Sequence, residues 1–230
     1  MSLVLDGAVA IVGFLHTAAV HVPTFQTLLA GMAPGLKDVH VVDETLLNDA
    51  RRRGVNDDVR ARLQLRLREL VARDCQVVLC SCSTLGGAAE DLGDLVGVPV
   101  VRIDRPMAER AVATNGRIGV VVAVESTLTP TRELLEQCVA AANSAAVLIE
   151  SPCLDAWGLF EAGNVSGYVD RLVGHVRELA PRVDVVVLGQ ASMAPAVDLL
   201  DDLHVPVLCS PRLGVARAVE LVSERAAAHG

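Results

Sequence analysis

The sequence predicts an α/β protein of two pseudo-symmetric lobes, each a parallel sheet flanked by helices. Three observations predict it. Short Val- and Ile-rich runs alternate with longer amphipathic segments along the whole chain. Apolar residues make up 52% of the 230 residues and aromatic ones only 2%. The core is therefore Val, Leu, Ile and Ala, the usual filling of parallel sheets covered by helices. Lastly, the chain contains a faint copy of itself.

The strand candidates are the runs 8–14, 39–42, 77–80, 98–103, 118–123, 146–149, 183–188 and 205–208, continuous apolar stretches of the kind buried on both faces. Helices fill the gaps. The clearest spans 57–73, with Asn56 placed to cap it and Leu63, Leu67 and Leu70 on one stripe. Segments 128–142 and 165–179 are similar. Repeated strand–helix–strand order implies right-handed crossovers. The triplet Gly97-Val98-Pro99 marks a turn before a strand.

The copy joins 77–112 to 184–219. Both stretches run strand, polar turn, Ala-rich helix, Asp-Leu, Val-Pro-Val, then a helix containing Arg-Ala-Val. This alignment sets Cys82 opposite Gln190 and Thr84 opposite Ser192. A second pairing, of 9–17 with 118–126, matches His16-Thr17 to Glu125-Ser126. The lobes are then expected at 1–103 plus 207–230, and at 104–206.

Composition excludes several classes of function. A net charge of −8 supplies no basic face for nucleic acid, and the short Arg51-Arg52-Arg53 cluster is soon followed by Asp57 and Asp58. No apolar run is long enough to span a membrane, and the opening residues lack the pattern of a signal peptide. A cytoplasmic protein is expected, with its six cysteines reduced. Cys80 and Cys82 have no companion CxxC or His pair, so no metal is expected.

Ligands of open parallel sheets bind beyond the carboxyl ends of the strands, and there the polar residues gather. Cys82 follows strand 77–80, with a helix expected from about Leu85. Backbone N–H groups at a helix start stabilise a thiolate. With the hydroxyls of Ser83 and Thr84 they form a cradle for a carboxylate. Gln190 and Ser192 occupy the corresponding turn of the copy, so two related lobes would set these turns face to face across a cleft. His16 and Thr17 follow the first strand. Ser126 and Thr127 follow strand 118–123 as ligand contacts, while Glu125 is either a contact or a helix cap. Cys75, Cys138 and Cys209 read as small buried hydrophobes. Cys153 ranks below Cys82 as a reactive thiol, and Trp157 and Tyr168 read as packing residues.

The turn Cys82-Ser83-Thr84 after Val77-Val78-Leu79 resembles the Cys-Asn-Thr turn of the aspartate/glutamate racemase superfamily, which includes hydantoin racemases, maleate isomerase and arylmalonate decarboxylase. The stretch Leu188-Gly189-Gln190-Ala191-Ser192 resembles its second motif, Leu-Gly-Cys-Thr. The resemblance implies catalysis without a cofactor on a small carboxylate substrate, in a homo-oligomer. Two cysteines would flank the α-carbon, one thiolate removing its proton and the other thiol supplying one. Cys82 would be one of them, with Ser83, Thr84 and Ser192 binding the carboxylate.

Gln190 departs from that pattern, because an amide cannot exchange a proton as a thiol does. Three outcomes are open. His16 or Glu125 serves the opposite face of the substrate; the chemistry is one-sided, as in a lyase or decarboxylase of a malonate-like acid or a thiolate-addition isomerisation; or the protein binds small carboxylates without turnover. The leading expectation is a racemase- or isomerase-like enzyme acting beside a carboxylate.

Overall fold

All eight predicted runs become strands of two parallel sheets. The computed structural model describes residues 4, 5 and 8–229. Residues 1–3, part of the stretch read for targeting signals, lie outside them. An antiparallel pair, β1 (Val4–Leu5) and β2 (Ala8–Val9), comes first. The first sheet holds β3 (Ile11–His16), β4 (Lys37–Val42), β5 (Val77–Cys80) and β6 (Val100–Arg102) in the order β4-β3-β5-β6. Its helices are α1 (Val22–Met32), α2 (Glu44–Arg53), α3 (Asp57–Val71), α4 (Ser83–Asp91) and the single turn α5 (Gly93–Val96). After α6 (Arg105–Val112), the second sheet holds β7 (Arg117–Val121), β8 (Val147–Glu150), β9 (Val185–Leu188) and β10 (Val207–Cys209) in the order β10-β9-β7-β8. It is accompanied by α7 (Glu125–Ala142), α8 (Trp157–Glu161) and α9 (Val165–Leu179), and the chain goes on into α10 (Ser210–His229).

Each sheet therefore lists its strands, in space, as second, first, third and fourth. This shared topology carries the Cys82–Gln190 match, since β5 and β9 hold the same place. The second pairing of the repeat is corrected by the register. Leu15 lies opposite Cys80 in the first sheet, and Val121 opposite Leu188 in the second. His16 therefore corresponds to Val122, not to Glu125. Similar apolar runs slide past one another freely in a sequence, but backbone hydrogen bonds hold a single register. The expected Ala-rich helix after β9 is also corrected. Ala191–Leu199 is a 3₁₀ helix with Pro195 inside it, and proline has no N–H for an α-helical bond.

The chain divides into Met1–Ile103 with Pro211–Gly230, and Asp104–Ser210. The expected boundary at 206/207 moves to 210/211, because β10 pairs with β9 and so stays with the second sheet. Helix α6 follows the first sheet but belongs to the second unit, and from Pro211 onward α10 returns to the first.

In the first unit both sheet faces are covered. On one, Leu15, Val41, Val78 and Cys80 pack with Leu63, Leu67 and Leu70 of α3. Asn56 Oδ1 accepts from Val59 N at 3.0 Å to start that helix. On the other, Phe14 and Leu79 pack with Phe25 and Leu29 of α1 and with Val215, Ala218 and Val222 of α10. Gly97 ends α5 at φ 80°, a left-handed conformation that glycine adopts without a Cβ penalty. In the second unit Tyr168, Leu172, Val176 and Leu179 of α9 fill one core with Val186 and Leu188. Among the described residues no helix is long and apolar enough to cross a membrane, and the six cysteines are buried with no disulfide among them.

The α3 stripe makes a direct test. Leu67 has no exposure, whereas Leu65 on the same helix is 61% exposed. Leu67→Ala should cost about 2–5 kcal/mol through lost burial and the cavity it leaves. Leu65→Ala should stay within about 0.5 kcal/mol. Urea unfolding midpoints of the two variants check both.

Candidate active site

At the end of β5 the chain turns directly into α4. The helix starts at Ser83, earlier than the expected start near Leu85, which makes Cys82 its N-cap residue in an extended conformation, φ −103° and ψ 111°. Leu85 N closes the first turn on the Cys82 carbonyl at 3.1 Å. The Cys82 side chain makes no capping hydrogen bond. Its thiol therefore stands beside the positive end of a nine-residue helix. It packs beside Cys80 and Leu85 and keeps 8% exposure, against none for Cys80. Ser83 and Thr84, in the first turn, are half-buried. Buried Arg102, at the end of β6, lies against the same helix: a Cβ at Gly86 would meet its side chain at 3.0 Å.

Beside this turn lies a constellation that sequence reasoning missed. His16 is fully buried, and Thr17 after it is buried at 8% exposure. His16 Nδ1 pairs with Ser81 Oγ at 2.8 Å and its Nε2 with His40 Nδ1 at 2.8 Å. His40 Nε2 in turn meets Asp38 Oδ2 at 2.7 Å. Ser81 Oγ also reaches the Leu15 carbonyl at 3.2 Å. The rings of Phe14 and His40 stack at 4.8 Å, and those of His16 and His40 at 5.1 Å. Both His16 nitrogens are thus engaged within the fold. Burial, helped by the nearby His40 and His21, pushes the His16 imidazole down to about 3. Alternation does place Asp38 and His40 on one side of their strand. Only the pairing of β4 with β3, and of β3 with β5, brings them to His16 and Ser81.

The equivalent strand end of the second unit is built differently. Gln190 caps the 3₁₀ helix and turns its side chain back onto the loop after β7. Its Oε1 accepts from Ala123 N at 2.6 Å and from Val124 N at 3.0 Å. Two consecutive amides converging on one oxygen form a cradle suited to a carboxylate, and here the glutamine carbonyl fills it. Ser192 Oγ lies 2.9 Å from the hydroxyl of buried Tyr168, whose ionisation burial pushes up to about 12. Tyr168 is thus both a core residue and the hydrogen-bond partner of Ser192. Thr127 is buried in the first turn of α7, while Glu125 and Ser126 are exposed there.

Burial raises the thiols of Cys153 and Cys75 to about 11 and that of Cys209 to about 12, so none of the three forms a thiolate readily near neutral pH. Among the described residues no group of three or more His, Cys, Asp or Glu is arranged to hold a metal ion.

Two outcomes are expected. Gln190→Ala leaves two backbone N–H groups without their acceptor and should destabilise the protein by about 1–3 kcal/mol in urea titrations. The neutral state of His16 makes stability depend on acid. Its folded value of about 3 lies below the ordinary 6.5, so the unfolded chain binds the proton first. The contribution is complete above pH 6.5 and is lost as pH falls toward 3. His16→Gln should flatten the fall of stability across that window, measured as unfolding free energy against pH.

Comparisons with known proteins agree with this architecture. A family model described as Asp/Glu/Hydantoin racemase matches residues 88–218. Glutamate racemase of Corynebacterium diphtheriae is 35% identical over 127 residues, which cover 53% of this chain and 46% of the relative. The match thus spans about half the length of that curated relative. Among solved structures, aspartate racemase of Picrophilus torridus superposes with a TM-score of 0.71 at 10% identity, covering 93% of this chain and 94% of the other. Arylmalonate decarboxylase superposes with a TM-score of 0.58 at 20% identity, covering 92% of each chain. At these identities the two structures speak for the fold. The family match takes in more than half of the chain, including α6 and the whole second sheet, and by it the protein belongs to the Asp/Glu/hydantoin racemase family.

Proposed function

We propose that the protein is a cofactor-independent racemase- or isomerase-like enzyme acting at the carbon next to the carboxylate of a small acid or amino acid, with Cys82 as its proton-transfer group. One observation carries the reading: in a chain of this family, Cys82 stands at the carboxyl end of β5 and at the start of α4. In the forward step the Cys82 thiolate takes the α-hydrogen as a proton. The carbon–hydrogen bond breaks, a sulfur–hydrogen bond forms, and the electron pair moves into the carboxylate as an enediolate. Donors around that carboxylate stabilise the added charge. Ser83, Thr84 and the first-turn amides of α4 are assigned to this task, with Thr17, Ser126, Thr127 and Ser192 as further contacts. His16 supports the site from behind, since both its nitrogens are engaged.

Gln190 favours a second reading, a one-base lyase or decarboxylase of a malonate-like acid. The amide N–H is far too weak an acid to deliver a proton as a thiol does, and its Oε1 is already held by Ala123 and Val124. In that reaction the bond to one carboxylate breaks, carbon dioxide leaves, and the Cys82 thiol protonates the remaining enediolate on one face only. The buried thiols, with no disulfide among the described residues, suit a reducing cytoplasm.

The test is deuterium incorporation at the α-carbon of glutamate, aspartate and a panel of small acids in deuterium oxide, beside carbon dioxide release from substituted malonates. Cys82→Ala should lower the active reaction by about 10²-fold or more. Incorporation unchanged in that variant removes Cys82 from the mechanism. Thermal stabilisation by an acid that is never turned over would mark a binding protein instead.

A further inference from the structure

The row Asp38, His40, His16 and Ser81 is not used by the chemistry above, yet its hydrogen bonds obey a strict logic. A carboxylate only accepts, so His40 Nε2 donates to Asp38. With His40 neutral, its Nδ1 accepts from His16 Nε2, and His16 Nδ1 accepts from the Ser81 hydroxyl. Every hydrogen in the row then points toward Asp38. With His40 cationic, the inner bonds reverse. His40 Nδ1 donates to His16 Nε2, His16 Nδ1 donates to Ser81 Oγ, and the Ser81 hydroxyl turns to the Leu15 carbonyl 3.2 Å away. The same atoms at the same 2.7, 2.8 and 2.8 Å serve both arrangements. Neither leaves a ring nitrogen or the Ser81 hydroxyl oxygen unpaired.

We propose that these four residues form a proton relay that carries a proton between the end of β5 and the partly exposed Asp38–His40 pair, without His16 becoming cationic. The transfer balances. An acid HX at the strand end protonates Ser81 Oγ and becomes X⁻. The original hydroxyl hydrogen passes to His16 Nδ1, and the Nε2 hydrogen of His16 passes to His40 Nδ1. An imidazolium remains, paired with the carboxylate of Asp38, whose side chain is 32% exposed. The reverse sequence returns the proton. That HX is the substrate acid or the Cys82 thiol rests on the function proposed above; the relay itself does not.

The surroundings fit this role. His16 is fully buried, and a buried imidazole resists carrying charge, which favours a pass-through group over a storage site. Phe14 stacks on His40, and an aromatic face attracts a cation. The groups that face His40 are few. Asp38 shares its strand, with Lys37 exposed at the start of β4; His16 faces it from β3, with His21 beyond. Helix α1 carries no charged residue, and on α10, which covers the same sheet face, Arg217 is taken up by Glu220 and Glu224. Across the sheet, Arg66 of α3 is taken up by Asp43 and Glu69.

The relay is tested by nitrogen NMR of the histidine rings in the intact protein as pH is lowered, with His40→Gln as the comparison. His16 should carry one ring hydrogen throughout, and that hydrogen should move from Nε2 to Nδ1 over the pH range in which His40 gains its second. In His40→Gln, which cannot take up a proton, the move should be lost. Three results overturn the proposal: a His16 tautomer that stays fixed while His40 titrates, a His16 that gains both hydrogens in that range, or a switch that survives in His40→Gln. The native measurement decides alone if the variant does not fold. No substrate enters the experiment, so its failure and that of the Cys82 reading are separately visible.

Discussion

In each sheet one backbone hydrogen bond closes the last rung before the loop: Ser81 N to Leu15 O at 3.0 Å, and Gly189 N to Val121 O at 2.8 Å. These two bonds fix where the third strand stops and therefore which side chains stand at its end. They set Ser81 beside His16 in the first unit and Gly189 beside Val122 in the second. The candidate residues inherit their places from this lateral pairing. The loops that follow, from Cys82 into α4 and from Gln190 into the 3₁₀ helix, start from a position already determined.

The same rung supports different chemistry in the two units. At Ser81 there is room for a hydroxyl, and it bonds an imidazole. At Gly189 a Cβ would meet Val122 Cγ1 at 2.8 Å and Thr131 Oγ1 at 3.2 Å, so a side chain is excluded. One residue later the contrast reverses. Cys82 leaves its loop without a side-chain cap, whereas Gln190 reaches back and satisfies two amides. A duplicated frame has thus been loaded asymmetrically: a thiol beside a helix start in one half, and a polar clasp in the other.

Much of the frame was legible from residue order. Buried parallel strands need unbroken apolar runs, so β3 to β10 announced themselves, and Leu63, Leu67 and Leu70 marked the inner stripe of α3. That Cys82, Gln190 and Ser192 follow strand ends was legible because they come after such runs at matched places in a repeat. What residue order could not carry was lateral register. His40 lies 24 positions from His16, and Ser81 lies 65, and only strand pairing makes them neighbours. The mistaken match of His16 with Glu125 has the same origin. The role of Gln190 was hidden for a related reason, since a glutamine that satisfies backbone amides looks, in a sequence, like any other polar turn residue.

Helix α10 bears on how the chain reaches its native state. Val215, Ala218 and Val222 cover the sheet face that carries Phe14 and Leu79, yet they follow the whole second unit in the chain. During synthesis the first sheet is made early, but one of its faces is covered only by α1 until residues beyond 210 leave the ribosome. The second unit, Asp104–Ser210, is continuous in sequence and waits for nothing. The half that begins first therefore finishes last, and in the interval its aromatic face is the surface that chaperones or unwanted partners meet.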